Sequence, residues 1–498
     1  MMEMMVEQVA EATEGRLLDP SGEHAQRLVG SVVTDSREVT PGALFVAIAG
    51  EHVDGHDYVA QASRDGAVAV IVDHPVDDPA VTAAQIVVAD NVKALGQVAA
   101  ANVRLRRGRR DPFTVVGITG SVGKTTTKDL LSTLLGSMGP TIAPVGSFNN
   151  EVGLPLTACK VDASTRYLVA EMGANHIGEI AGLTKIAPPD IAVVLKVGVA
   201  HVGEFGSVEN IARAKSELVR GLVSDGVTVL NADDGHVAAM AKIAPGKLVW
   251  FGVDHAQGHD TDDYMAADDI ALDDDGRPAF ALVDNGGVEE HVDLGLVGEH
   301  NVYNALAAAA VAHELGMPLE EVAAGLSAVR AISPHRMAVR EVERDGHRFT
   351  LIDDSFNANP DSMKAGLRGL ASWHAQEDAQ PYRVAVLGAM LELGAGEDEA
   401  HEQVGEYAAG QGIDAVVAVG AEGHDKLNEL AGRIADGARA GGVPEVSCVF
   451  TVKDADDIVR GLNALHPDMT VLLKGSHASG LGTLASGWAA PAAGADRK

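Results

Sequence analysis

"GITGSVGKTTTKDL" (residues 117–130) decides the fold. It follows an apolar run at 113–118 and opens a segment of helical character, the strand–loop–helix order of a phosphate-binding loop. The strict pattern G-x-x-x-x-G-K-[ST] fails, because its first glycine would fall on Ile118. What remains, Thr119-Gly120-Ser121-Val122-Gly123-Lys124-Thr125-Thr126, keeps the physics. Gly120 and Gly123 let backbone N–H groups converge on phosphate oxygens, and the helix presents its positive end. Lys124 can reach the β- and γ-phosphates, and Thr125 can hold Mg²⁺ through its hydroxyl. The plainer alternative is a glycine-rich turn with an incidental lysine; the strand before and the helix after favour a bound nucleotide.

Outward from the loop, YLVAEMG (167–173), DIAVVLKVG (190–198), GVTVLNADD (226–234) and KLVWFGVD (247–254) are expected strands. Between them SVENIARAKSELVRGL (207–222) places Ile211, Lys215, Leu218 and Leu222 near one helical stripe. Strand–helix alternation of this kind predicts right-handed βαβ units and a parallel sheet. The acidic, turn-rich stretch 254–293 predicts a peripheral hairpin or loop, and NVYNALAAAAVAHELG a helix followed by a second one ending near Arg330. Before the loop, LFVAI (44–48) and VAVIV (68–72) alternate with Gly- and Asp-rich turns up to the basic stretch ANVRLRRGRR and a linker at Asp111-Pro112. After it, AISPHRM (331–337) predicts a hinge, and FTLIDDSFNANPDSMKAGL, RVAVLGAM, DAVVAVG and TVLLKGS repeat the strand–loop–helix theme of a Rossmann-like domain. The expected fold is α/β with three domains: a small mixed α/β domain (1–112), a central P-loop ATPase domain with a mainly parallel sheet (113–332) and a C-terminal Rossmann-like domain (333–498).

The bulk numbers agree with several domains. A chain of 498 residues exceeds the size at which one core stops growing, and its 46% apolar but only 4% aromatic content suits buried parallel strands. The net charge of −33 repels nucleic acid and anionic membranes, so neither is an expected partner. Cys159 and Cys448 have no disulfide or metal-ligand spacing and are expected as ordinary thiols in a reducing compartment. The N-terminal MMEMMVEQVAEATEG lacks a long apolar region, and no run approaches the roughly 18 apolar residues of a membrane span. A soluble, cytoplasmic protein is expected.

Further candidates sit at strand ends and helix starts. Glu171 ends the strand YLVAE, where ligands gather in open α/β sheets, and its carboxylate can hold Mg²⁺ or merely face solvent. His201 occupies the comparable end of VLKVGVAH, and Lys215 would ordinarily be a solvated helix lysine. Asn301 and Asn304 share one helical face; they can read a base or ribose, or Asn301 can be an N-cap. Arg336 can brace a phosphate between two domains or be a linker charge.

Together and in this order, these motifs resemble the Mur ligases, the ATP-dependent amide-forming enzymes of peptidoglycan precursor assembly. "ITGSVGKTT", "EMGANHIGEI", "HVGEFGSVENIARAKSEL", "GEHNVYNALAAAA" and "PHRM" match the family's central series. "TDSREVTPGALFVAIAGEHVDGHDYV", "SFNNEVGLPLT", "DDSFNANPDSM" and "VLGAMLELG" resemble the branch that adds D-alanyl-D-alanine to UDP-N-acetylmuramoyl-tripeptide. The resemblance implies an ADP-forming ligase acting through an acyl phosphate, with ATP and Mg²⁺ as cofactors and a place in cell-wall growth, shape and division. It implies that Lys124 and Thr125 serve ATP and Mg²⁺, and that Glu171 and His201 are metal ligands. Lys215 matches the family lysine that CO₂ carbamylates into a carboxylate-like ligand. Asn301 and Asn304 would contact adenosine, and Arg336 and Asp353 would close over ATP. Asp35, Ser36 and Arg37 would lie near the uridine nucleotide, and Ser147, Asn149, Asn150, Asn357 and Lys474 on the substrate side. A monomer is expected.

One departure stands out: "KGSHASG" has His477 where the family pattern has arginine, so a guanidinium's bidentate grip is missing there. Either that role is dispensable or another group supplies it. The Asp-Asn-Pro-Arg motif of the diaminopimelate-adding branch is absent, which favours addition of the dipeptide. Other readings are a diaminopimelate-adding or folylpolyglutamate-type ligase, or a P-loop nucleotide switch.

Overall fold

The computed structural model describes residues 1–489 except 20, 51–52, 199–201, 255–262, 331–332, 334, 345 and 375–379. Three sheets follow one another along the chain. The first runs in the order Arg16–Leu18, Ala84–Val87, Ala69–Val72, Ala43–Val46 and Ser31–Val33, parallel except for its first strand. Ala43–Val46 and Ala69–Val72 are buried along their whole length, as continuous apolar runs in a parallel sheet require.

The central sheet has nine strands. Thr114–Thr119 lies inside it, between Tyr167–Glu171 and Ile191–Val194, with Val116 opposite both Val169 and Ile191. The chain builds outward from this strand in both directions, so its C-terminal end is a topological switch point, where an open α/β sheet leaves a crevice. The helix Lys124–Met138 covers one face through Leu130, Leu131, Leu134 and Leu135, all buried, each contributing roughly 1.5–3 kcal/mol. The helix His300–Glu314 packs beside it, its run of alanines permitting close approach. The acidic, turn-rich stretch forms the expected hairpin at one edge of the sheet and extends it: Asp263–Leu272 pairs in parallel with Leu248–Gly252, and the chain continues antiparallel through Pro278–Asp284 and Glu289–Asp293. Met265, Phe280, Leu282 and Val292 from these strands are buried in the core.

The basic stretch before the linker is the end of the helix Asn91–Arg107. Its arginines fasten the linker rather than coat a surface. Arg106, 1% exposed, donates to the carbonyls of Thr165, Asp111 and Pro112, and Arg107 grips Asp190 with two bonds of 2.8 Å.

The C-terminal sheet runs Ala338–Arg344, His347–Asp354, Thr470–Lys474, Arg383–Gly388, Ala415–Val419, Glu445–Val449, parallel except for its first strand. From its Asp354 end the chain turns back through Asn359, whose side chain caps the helix Pro360–Ser372 with Pro at its first turn. No helix among the described residues is long and apolar enough to cross a membrane.

Candidate active site

The phosphate loop joins Thr114–Thr119 to the helix starting at Lys124. Gly123 sits at the turn with φ +84°, and a methyl there would come within 2.3 Å of Asn304 Oδ1, so both backbone angle and space call for glycine. Ser121 N–H donates to the Lys196 carbonyl at 2.8 Å, pinning the loop to the next strand's end. Lys124 Nζ donates to the Gly120 carbonyl at 2.7 Å, inside the loop a phosphate would fill. Loss of water around Lys124 lowers its pKa, and the charge of Glu171 opposes that shift.

Glu171, fully buried, ends the neighbouring strand. Its Oε2 accepts from Thr125 Oγ1 at 2.9 Å and its Oε1 from Asn149 Nδ2 at 2.7 Å. Ser147 Oγ lies 2.6 Å from Thr125 Oγ1 and accepts from Arg336 Nη2 at 2.7 Å. Phosphate loop, strand end, the 147–149 loop and the linker to the C-terminal domain thus meet at one point. Arg336 stacks on the Phe356 ring, 4.3 Å to its centroid, and is flanked by His335 (φ +63°) and Met337 (φ +48°). A non-glycine neighbour in the left-handed region on each side marks local strain around this arginine.

A cleft of about 600 Å³ opens here between the central and C-terminal domains. Six cationic side chains line it, Lys124, Lys196, Arg336, Lys364, Arg368 and Lys474, against three acids, Glu171, Asp354 and Asp361. In a chain carrying −33, that local excess selects for an anion. An adjoining cavity of about 690 Å³ shares Gly123, Lys196, Asn304 and Arg368, and adds the apolar Phe251 and Leu272 with Tyr303. The pair offers a polyanion site beside a flatter, apolar one.

The structure brings most of the sequence-derived candidates together. Ser121, Val122, Gly123, Lys124, Thr125, Thr126, Ser147, Asn149, Glu171, Asn301, Asn304, Arg336, Asn357 and Lys474 all line the cleft. Asn301 is not an N-cap: it lies inside the helix, donates to the Val297 carbonyl at 2.8 Å and accepts from Asn304 at 2.8 Å. Lys215 is not a solvated helix lysine: it is 2% exposed, its ammonium 5.7 Å from the Phe205 ring centroid. Burial first, then the nearby Lys124 charge, lowers its pKa to about 7.

Others lie elsewhere. Thr119 turns its hydroxyl to the Met172 carbonyl, and Gly120 contributes only its carbonyl to Lys124. Asn150 caps the next helical turn through the N–H groups of Val152 and Gly153. Asp353 is fully buried against His335, Arg340 and Ser355, while the next residue, Asp354, faces the cleft and pairs with Lys474 Nζ at 2.5 Å. Asp35, Ser36 and Arg37 form a surface turn on the first domain; the Arg37 hydrogen bonds hold the Asp35 carboxyl down to about 2. His477 is exposed in the turn 477–479 and His201 lies outside the described residues. Lys196, Asp354, Lys364 and Arg368 were not singled out from the sequence, since nothing local separates them from ordinary surface charges.

Comparison with known proteins gives this geometry relatives. Residues 118–312 match the Mur ligase middle domain, 335–477 the Mur ligase glutamate ligase domain, and 29–103 the Mur ligase family catalytic domain. The UDP-N-acetylmuramoyl-tripeptide–D-alanyl-D-alanine ligase of Mycobacterium bovis is 41% identical across 97% of this chain and 97% of its own. The Escherichia coli enzyme of that name is 35% identical across 85% and 87%. A crystal structure of MurF from Acinetobacter baumannii superposes with a TM-score of 0.82 at 32% identity, covering 98% of each chain. MurF from Thermotoga maritima in complex with ADP gives 0.73 at 28% identity, covering 91% and 95%.

Proposed function

The chain belongs to the Mur ligase family, and we propose that it uses ATP to join D-alanyl-D-alanine to UDP-N-acetylmuramoyl-tripeptide, giving the pentapeptide precursor of peptidoglycan. The observation that carries this reading is the cation-lined cleft in which the phosphate loop, buried Glu171 and Arg336 from the interdomain linker converge.

Condensing a carboxylate with an amine in water is uphill, because a carboxylate is a poor electrophile. Transfer of the γ-phosphoryl group to the terminal carboxylate of the tripeptide gives an acyl phosphate and ADP. The free amine of the dipeptide then attacks the acyl carbon, a tetrahedral intermediate collapses, and phosphate leaves. Lys124, with its Nζ released from the Gly120 carbonyl by the arriving phosphates, offsets charge on the transferred group. Arg336, delivered by the interdomain linker and bonded to Ser147 beside Thr125, adds a second cation to the same charge. Asn301 and Asn304 hold the adenosine end, and Ser147, Asn149, Asn357 and Lys474 border the peptide. Closing the cleft keeps water from the acyl phosphate.

The donors around Thr125 fit Mg²⁺: a hydroxyl and a carboxylate are hard oxygen ligands. Thr125, Glu171, His201 and Lys215 would hold it, the last as a carbamate, for which a buried amine with a pKa of about 7 is suited. Mg²⁺ there would neutralise phosphate charge. Asp35, Ser36 and Arg37 would meet the uridine nucleotide, and Asp353 would act on ATP through the linker. A cytoplasmic monomer is the working form within this proposal.

The experiment is phosphate release from ATP with UDP-N-acetylmuramoyl-tripeptide present, with and without D-alanyl-D-alanine, followed by the mass of the nucleotide product. Release that requires the dipeptide and yields the pentapeptide mass supports the ligase. Release indifferent to both substrates would point to a nucleotide switch instead.

A further inference from the structure

The phosphate-loop helix carries a second lysine that no step above uses. Lys128 follows Lys124 by one turn and shares the buried stripe of Leu131 and Leu135, so its side chain enters the protein and is 2% exposed. Its Nζ donates to the Pro144 carbonyl at 3.0 Å and to Ser333 Oγ at 3.4 Å, and it pairs with Asp129 Oδ1 at 2.5 Å. An ammonium has three donors, and all three are used. The other carboxylate oxygen of Asp129 accepts the Ser333 N–H at 2.8 Å.

These partners belong to two segments that meet again in the cleft. Pro144 precedes Ser147 by three residues, and Ser333 precedes Arg336 by three. Arg336 then donates to Ser147 at 2.7 Å, and Ser147 contacts Thr125, three residues before Lys128, at 2.6 Å. The contacts close a ring: helix, 144–147 loop, 333–336 linker and back to the helix. The Lys128 ammonium is buried and its partner Asp129 half-buried, where apolar side chains would pack with less desolvation, so stability alone does not explain the pair. What the pair fixes is the position of two chain segments relative to the loop that binds phosphate.

We propose that Lys128 and Asp129 are positioning residues that hold the 144–147 loop and the start of the C-terminal domain in register on the phosphate-loop helix, so that Arg336 reaches the transferred phosphoryl group. This rests on the role given to Arg336 above.

The test is steady-state kinetics of the full-length chain carrying Lys128→Met, Asp129→Asn, Arg336→Ala and the Lys128→Met/Arg336→Ala pair, with nucleotide affinity and thermal stability measured on each. Lys128→Met should lower kcat about 10- to 100-fold, the scale of a displaced catalytic group, while nucleotide affinity stays within about threefold. In the double variant the losses should not multiply, because Lys128 acts through Arg336. Multiplying losses, or kcat within about twofold of the parent for Lys128→Met, would overturn the proposal. If Arg336→Ala itself leaves kcat unchanged, the role of Arg336 fails, and the positioning role with it. Should Lys128→Met not fold, Asp129→Asn and Ser333→Ala, the latter removing the Lys128 bond while the Ser333 N–H stays on Asp129, are read by the same split between kcat and nucleotide affinity.

Discussion

Thr125 Oγ1 donates to Glu171 Oε2 across 2.9 Å, joining the first turn of the phosphate-loop helix to the end of the adjacent strand. Among the described residues, the Glu171 oxygens accept from the neutral donors Thr125 and Asn149, with no direct countercharge on this buried carboxylate. That is the situation of a metal ligand. Glu171→Gln keeps the shape and one acceptor while removing the charge. It should lower kcat by about two orders of magnitude, the scale of losing a charge-stabilising group, and raise the Mg²⁺ concentration for half-maximal activity. Titration of activity with Mg²⁺ checks this; an unchanged Mg²⁺ dependence would remove Glu171 from the metal site.

Gly123 tests the loop without touching a charge. Its φ of +84° costs an alanine about 1–2 kcal/mol, and the added methyl would lie 2.3 Å from Asn304 Oδ1. Gly123→Ala should therefore weaken nucleotide binding at least about tenfold, the equivalent of some 1.4 kcal/mol, with the domain still folded. Titration with a non-hydrolysable ATP analogue, alongside a melting curve, reads both. Full affinity in a folded variant would mean that the loop does not hold the phosphates in this geometry.

The proposed carbamate on Lys215 predicts an activity that depends on CO₂ and on pH. Only the neutral amine adds CO₂, and with a folded pKa of about 7 that form grows in as pH rises through neutrality. Activity should fall after dialysis into CO₂-free buffer, return with bicarbonate, and recover less fully at pH 6 than at about pH 8. The stability sign runs the same way. The unfolded lysine keeps its proton up to about pH 10.4, so between the two values the unfolded chain binds more protons and stability rises with pH. A carbamate resonance from ¹³C-labelled bicarbonate, absent in Lys215→Met, gives a direct readout, and activity indifferent to bicarbonate would exclude the modification.

Much of this was legible in the chain because it is local. Strand, glycines, Lys124 and Thr125 occupy one continuous stretch, and Glu171 could be placed because strand ends in parallel sheets define the crevice. Lys128 was also there to see, as a lysine on a leucine stripe, but helix periodicity alone does not distinguish a buried charge from one that snorkels. Edge strands escaped for a different reason. Ala338–Arg344 and Glu445–Val449 bury little of one face, so AVREVER and EVSCV carry no strong alternation. Contacts such as Arg336 with Ser147, 189 residues apart, depend on how two domains meet, and no spacing encodes that.

Asp353, which the family resemblance places over ATP, and its neighbour Asp354 face different surroundings. Asp354 faces the cleft, whereas Asp353 is fully buried and accepts from His335 Nδ1 at 2.8 Å, Arg340 Nη2 at 2.9 Å and Ser355 Oγ at 2.6 Å. On the proposed reading its influence on the nucleotide passes through His335, one of the two left-handed residues that flank Arg336. Each such residue stores about 1–3 kcal/mol, and the carboxylate is among the groups that hold the linker in that state. Asp353→Asn keeps one acceptor but loses two charge-assisted bonds, so the C-terminal domain should lose about 2–3 kcal/mol. Arg336 would then sample other directions, lowering kcat while the KM for ATP changes little. A direct contact with ATP makes the opposite demand: a higher KM with an unchanged melting temperature. Measuring kcat, KM for ATP and thermal stability on one Asp353→Asn preparation separates the two, and the second pattern would return Asp353 to the nucleotide.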